Sequence, residues 1–348
     1  MLSFYPGPSK VHPEALGYIQ EAFEQGIVSI NHRSERFEKL LEATFDVLHQ
    51  KWNIPSNYTI YFVSSATEAW EIVIQSLVRE KSTHVYNGAF GKKWAHYAAS
   101  TAESIEFSLD QSLAEIGLQL GPIKGDTLCL VQSETSNGTG QQIRRADFQL
   151  TEDALIAVDA TSSMGGIELP WDEADVWLAS VQKCIGIPAG MGLLICSPKA
   201  LARAKELNRA THYNDVLFLE ENRRMFQTQM TPNVLSIYLI YRLTQQLPSL
   251  SKTHRTTLAK MKVWTDFWDN QPDFSYLIEN PELRLPTVLA LTGNPEKIKQ
   301  LHKICLEKGI ELGKGYGEWK ETSFRIANFP SHTFEDIETL IQTIQYEL

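Results

Sequence analysis

The chain has 348 residues, is 43% hydrophobic and carries a net charge of −10, which allows two domains and a large core of ordinary globular composition. A surface of that sign disfavours nucleic acid and anionic membranes as partners, because both repel it. No run of eighteen apolar residues occurs, and the opening MLSFYPGPSK lacks the charged start and apolar stretch of a signal peptide, so no membrane partner and a cytoplasmic location are expected.

Along the chain, short β-rich runs recur: TIYFV (59–63), THVYN (83–87), SIEFS (104–108), TLCLVQS (127–133), LIAVDA (155–160), DVWLAS (175–180) and GLLICS (192–197). Several lack the alternation of a half-exposed strand, and helical patterns at 66–79 and 90–101 lie between some of them. Such a pattern predicts an α/β unit with a mostly parallel seven-stranded sheet covered on both faces. After Pro232, NVLSIYLIYRLTQQL predicts a long helix, and LPSLSK marks a boundary before a helix at 252–269. A strand TVLALT (287–292), a helix near 295–308, a strand SFRIANF (323–329) and a helix from Thr333 complete a smaller α+β unit. The expected division is 15–249 for the large unit and 250–348, with 1–14, for the small one. Cys129, Cys184, Cys196 and Cys305 show no CxxC spacing; they read as reduced thiols, and no metal site is expected.

No G-x-G-x-x-G follows a predicted strand, and neither the P-loop nor the H-E-x-x-H pattern occurs, so dinucleotide, P-loop and zinc-protease chemistry are not signalled. TSSMG (161–165) lacks the first glycine of a nucleophile elbow. In an open α/β sheet, ligands sit beyond the carboxyl ends of the strands, and three features fall there. Asp159 closes LIAVD, Lys183 follows DVWLAS, and Ser64-Ser65-Ala66-Thr67 follows IYFV. Each has a plain alternative: Asp159 could cap a turn, Lys183 could snorkel to water, and SSATEAW could be an ordinary helix start. Taken together they match the needs of pyridoxal phosphate: a lysine for its aldehyde, a carboxylate for its ring nitrogen, and helix N-terminal amides for its phosphate.

The stretch VDATSSMGGIELPWDEADVWLASVQKCIGIPAGMGLL resembles the central signature of the class V aminotransferases of fold type I, the group that holds phosphoserine and alanine– or serine–glyoxylate aminotransferases. FYPGPSKVHPEAL, INHRSERF, NGAFGKKW, SETSNGTGQQI, QTQMTPNVLSIY and SFRIANF resemble further segments of that family. The resemblance implies Lys183 as the cofactor-bonded lysine and proton carrier, Asp159 at the pyridine nitrogen and Phe90 on the ring face. It further implies Ser65, Ala66, Thr67, Ser180 and Gln182 at the phosphate and Thr135 near the ring hydroxyl. Thr231 would reach the phosphate of a neighbouring subunit, so a homodimer with shared sites is implied; Asn233 stands where the family usually has a second proline. Arg325 would clamp the α-carboxylate, and His32 with Arg33 would take a substrate phosphate. The implied reaction is transamination between an amino acid and a 2-oxo acid, with O-phospho-L-serine and 2-oxoglutarate first. The alternatives are an alanine– or serine–glyoxylate enzyme, a cysteine desulfurase-type lyase and a non-catalytic binding protein.

Overall fold

The structure, a computed structural model, describes residues 1–209 and 212–347; Ala210 and Thr211, in the expected large unit, and Leu348, the last residue of the expected small one, lie outside them. Seven five-residue strands, most of them apolar and β-branched runs, build the larger sheet, in the order Thr59–Val63, Gly192–Cys196, Val176–Ser180, Leu155–Asp159, Thr127–Val131, Ser82–Tyr86, Ala102–Glu106. Gly192–Cys196 runs antiparallel to both neighbours and the remaining pairings are parallel. All but the edge strand Ala102–Glu106 are buried throughout.

Alternate residues feed two separate cores, which is why the runs show no polar face. Phe62, Ile156, Trp177 and Leu193 pack with Leu41 and Ile237 on one side. Tyr61, Leu155, Leu178 and Leu194 pack with Trp70 and Val73 on the other. The first side is covered by helices Glu35–Trp52 and Val234–Gln246, the second by Ala66–Leu77 and Pro198–Leu207. Glu35–Trp52 was not among the predicted elements, although Phe37, Leu40, Leu41, Thr44, Phe45 and Leu48 form its buried stripe at helical spacing.

Predicted ends move for identifiable reasons. The helix expected to reach residue 79 stops at Leu77, because the Asp126 carboxylate accepts from the amides of Arg79, Glu80 and Lys81. The helix expected to reach 101 stops at Tyr97, where the Ala98 carbonyl accepts from the amide and hydroxyl of Thr101. TLCLVQS divides into Thr127–Val131 and a two-residue hairpin strand, Ser133–Glu134, paired with Thr139–Gly140.

A second sheet has the order Leu2–Phe4, Ile310–Lys314, Ser323–Ala327, Val288–Gly293, Phe274–Tyr276. Its core joins Phe4 to Trp264, Phe267, Phe324, Ile337 and Leu340. The chain start is thus an edge strand, parallel to Ile310–Lys314, and the segment after it crosses to the large sheet. There Ser9 and His12 donate their amides to the carbonyls of Gln182 and Gly186. All four cysteines are buried and free. Among the described residues, no helix is long and apolar enough to cross a membrane.

Candidate active site

Three neighbouring parallel strands end side by side at Val131, Asp159 and Ser180, and a cavity of about 210 Å³ opens over these ends. Asp159 is buried there. Its Oδ1 accepts from the Thr161 amide at 2.8 Å and its Oδ2 from the Trp70 indole N–H at 2.8 Å. Burial pushes its carboxyl above the usual carboxylate range, against the lowering effect of these bonds and of Lys183. Among the described residues, no cation lies within ion-pair distance of it.

Lys183 lies in the turn after Val176–Ser180 and is also buried. Its Nζ donates to Thr135 Oγ1 at 2.7 Å and Ser162 Oγ at 3.0 Å. Burial lowers its pKa from 10.5 to about 8, opposed by the Asp159 and Glu134 charges. Gly7 lies over this side chain: a Cβ there would sit 2.9 Å from Lys183 Cε, on a backbone with φ +151°. The Pro-Gly-Pro segment therefore needs its glycine for close approach.

The N-terminus of helix Ala66–Leu77 borders the same cavity. Ser65 caps it through the Glu68 amide (3.0 Å), while the Ala66 amide donates to Ser180 Oγ (2.9 Å). Thr67 and Gln182 also line the cavity, and the first amides of a helix have no intrahelical acceptor. Phe90 sits at the start of helix Ala89–Tyr97, its ring centroid 5.2 Å from Lys183 Nζ. Glu134 holds that helix in place: its Oε2 accepts from the Phe90 and Gly91 amides, and its Oε1 from the amide and hydroxyl of Ser136.

Arg325, in the middle of Ser323–Ala327, reaches the cavity from the second sheet. It is 4% exposed. Its Nε donates to the Lys314 carbonyl (2.9 Å) and its Nη1 to the Thr135 carbonyl (2.8 Å). Among the described residues, no carboxylate pairs with it, and a buried guanidinium without a counter-charge fits an anionic ligand. Tyr316 lies 5.4 Å from its Cζ and 5.6 Å from the Phe90 ring.

Ser65, Ala66, Thr67, Phe90, Thr135, Asp159, Ser180, Gln182, Lys183 and Arg325 are thus gathered at one place. His32, Arg33 and Thr231 are not. Arg33 donates to Asn222 at 3.1 Å and to Gln227, and Thr231 is exposed. Asn233 caps helix Val234–Gln246 by accepting from the Ser236 amide at 3.0 Å, which explains a residue other than proline there. Sequence reasoning passed over Trp70, Glu134, Ser162 and Tyr316. Signals existed for three of them: Glu134 and Ser162 lie within segments that resemble the family, and Trp70 stands one turn after Ala66 on the same helix face.

The residues present fit pyridoxal phosphate on observations independent of any relative: a buried amine among neutral hydroxyls, a buried carboxylate with no cation at ion-pair distance among the described residues, and a helix N-terminus whose first residues, Ala66 and Thr67, border the cavity together with the Ser180 hydroxyl. The sheet order and the site define a fold type I pyridoxal-phosphate-dependent transferase. A family model for class-V aminotransferases matches residues 2–321. The phosphoserine aminotransferase of Rhodococcus opacus (strain B4) is 27% identical over 98% of this chain and 93% of its own. That of Corynebacterium glutamicum (strain R) is 25% identical with the same coverage. Among solved structures, a phosphoserine aminotransferase from Cytophaga hutchinsonii superposes with TM-score 0.92 at 31% identity, over 100% of this chain and 99% of that one. The alanine–glyoxylate aminotransferase of Nostoc sp. superposes at 0.84 with 22% identity, over 99% and 94%, a likeness of fold. The chain belongs to the class-V aminotransferase family; it is a transaminase whose cofactor is pyridoxal phosphate.

Proposed function

We propose that this transaminase interconverts O-phospho-L-serine and its 2-oxo acid, with 2-oxoglutarate and glutamate as the second pair, in the cytoplasm and as a homodimer with shared active sites. Residues 15–249 then form the cofactor-binding unit, and 250–348 with 1–14 the unit that closes on substrate. The likeness along the whole chain to the Cytophaga hutchinsonii phosphoserine aminotransferase carries this reading.

In it, Lys183 would hold the cofactor, Asp159 would serve its ring nitrogen, Thr135 its ring hydroxyl, and Phe90 one ring face. Ser65, Ala66, Thr67, Ser180 and Gln182 would take its phosphate, with Thr231 from the second subunit. When bound, pyridoxal phosphate supplies the electron sink that stabilises charge at the substrate Cα. Burial lowers the Lys183 pKa to about 8 in the cofactor-free site, and an amine so placed would accept the Cα proton and return it. Arg325 orients that Cα by binding the α-carboxylate in a fixed fork, geometry a lysine does not reproduce. The Pro6-Gly7-Pro8 segment covers Lys183 and keeps water from the amine.

Neither His32 nor Arg33 lines the cavity of its own chain, and Arg33 bonds Asn222 and Gln227 instead; in this reading both act on the partner's cavity, where two adjacent donors suit a phosphate dianion. The test compares half-reactions with O-phosphoserine, alanine, serine and glutamate for wild type and Arg33→Ala. Selective loss of phosphoserine turnover in the variant, about tenfold or more for a lost charged contact, supports the reading. Equal loss on all donors, or wild-type preference for alanine or serine with glyoxylate, rejects it.

A further inference from the structure

We propose that Trp70 is a positioning residue of this enzyme: its indole N–H keeps the Asp159 carboxylate ionised and turned toward the place of the cofactor's ring nitrogen, an inference that rests on the assignment of Asp159 made above. Trp70 lies on helix Ala66–Leu77, and its Nε1 stands 2.8 Å from Asp159 Oδ2. The Thr161 amide takes the other oxygen at 2.8 Å. Two donors on different oxygens fix the carboxylate plane and leave its remaining lone pairs for the ring.

The donor cannot swing away. Trp70 is buried and stacks on Trp94, with centroids 5.9 Å apart and planes 12° from parallel. Trp94 is itself closed in by His84, edge-on at 5.4 Å. Among the described residues Trp94 Nε1 has no hydrogen-bond partner, and the one indole donor of this buried aromatic pair that is satisfied goes to Asp159. Bonds to an ionised acceptor are roughly twice as strong as those between neutral groups, so the indole favours the charged carboxylate over its protonated form. Burial works the other way. The charged groups facing Asp159 are Lys183, in the turn after Val176–Ser180, which also favours the anion, and Glu134, whose charge is coupled to that of Asp159. His84, behind Trp94, is held neutral with its pKa pushed down to about 4 by burial, so it adds no charge near neutral pH.

The test uses cofactor-loaded wild type, Trp70→Phe, Trp94→Phe and Asp159→Asn, without substrate. Two quantities are read: the pH midpoint of the bound cofactor's visible band and the cofactor dissociation constant. Trp70→Phe is expected to move the midpoint by about one pH unit in the direction of Asp159→Asn, and to weaken cofactor binding about tenfold, as loss of one bond to a charged group implies. Trp94→Phe should stay within twofold of wild type. If Trp70→Phe does not fold, the benzothiophene analogue of tryptophan at position 70, which lacks only the N–H, is expected to give the same shifts. A wild-type midpoint and affinity in either position-70 variant, while Asp159→Asn moves both, overturns the inference alone. Equal shifts in Trp94→Phe overturn it in favour of packing. If Asp159→Asn moves neither quantity, the Asp159 assignment fails and takes the inference with it. None of these readings depends on which amino acid is the substrate.

Discussion

A lysine ammonium sealed among two hydroxyls and an aromatic ring is costly, and at position 183 the cost appears as a pKa near 8 in place of 10.5. The unfolded chain therefore binds more protons than the folded one between these two values, and cofactor-free stability rises as pH increases from about 8 towards 10.5. Below about 8 the penalty is present in full, on the order of 3 kcal/mol for such a shift. Lys183→Met is accordingly expected to stabilise the cofactor-free protein at pH 7 by about 2–3 kcal/mol, since it removes a charge the fold does not compensate. Denaturant unfolding of both proteins at pH 7 and pH 10 measures this; an advantage that does not shrink at the higher pH contradicts it. The residue is kept for chemistry at the expense of stability.

At the scale of elements, the site depends on how helices begin. Helix Ala89–Tyr97 has Gly88 at its start and no side-chain cap of its own; the Glu134 carboxylate, supplied by the hairpin strand Ser133–Glu134, does that work for the Phe90 and Gly91 amides. All four groups bonded to Glu134 are donors, which an acceptor-only carboxylate satisfies and an amide cannot. Glu134→Gln should cost about 2 kcal/mol of unfolding free energy, the scale of leaving buried groups unsatisfied. Gly88 permits the approach, since a Cβ there would lie 2.3 Å from Glu134 Cγ. A variant as stable as wild type in chemical denaturation would show that the carboxylate is dispensable as a cap.

For the whole molecule, the site draws on both sheets: Asp159 and Lys183 come with the seven-stranded sheet, Arg325 with the five-stranded one. The leading segment ties the two together, pairing Leu2–Phe4 with Ile310–Lys314 and then docking on the Lys183 turn. The proposed dimer adds residues from a second copy, and mixing experiments test it. Lys183→Ala and Arg33→Ala proteins, each poor with phosphoserine alone, should form hybrids with one intact site. Random pairing then restores about a quarter of wild-type activity, because half the dimers are hybrids and each has one working site of two. Mixtures no more active than their components would mean that Arg33 does not serve its partner's site.

The strands Leu2–Phe4, Phe274–Tyr276 and Ile310–Lys314 were not legible in the sequence, whereas the strands of the larger sheet, the strands Val288–Gly293 and Ser323–Ala327 of the smaller one, and Lys183, Asp159 and Arg325 as candidates were. Each is written in a local pattern: apolar runs ending in one polar residue, or a lone cation within such a run. Helix Glu35–Trp52 was legible too, by its spacing, and was passed over. What the tertiary structure alone decided are pairings between distant positions. Trp70 meets Asp159 across 89 residues and Glu134 meets Phe90 across 44. Before folding, a buried glutamate looks the same as a solvated one, and an indole N–H carries no mark of its acceptor. The edge strand Leu2–Phe4 and the place of His32, Arg33 and Thr231 off the cavity of their own chain are of the same kind, because contacts of large sequence separation are set by how the sheets and helices pack and not by any local preference of the chain.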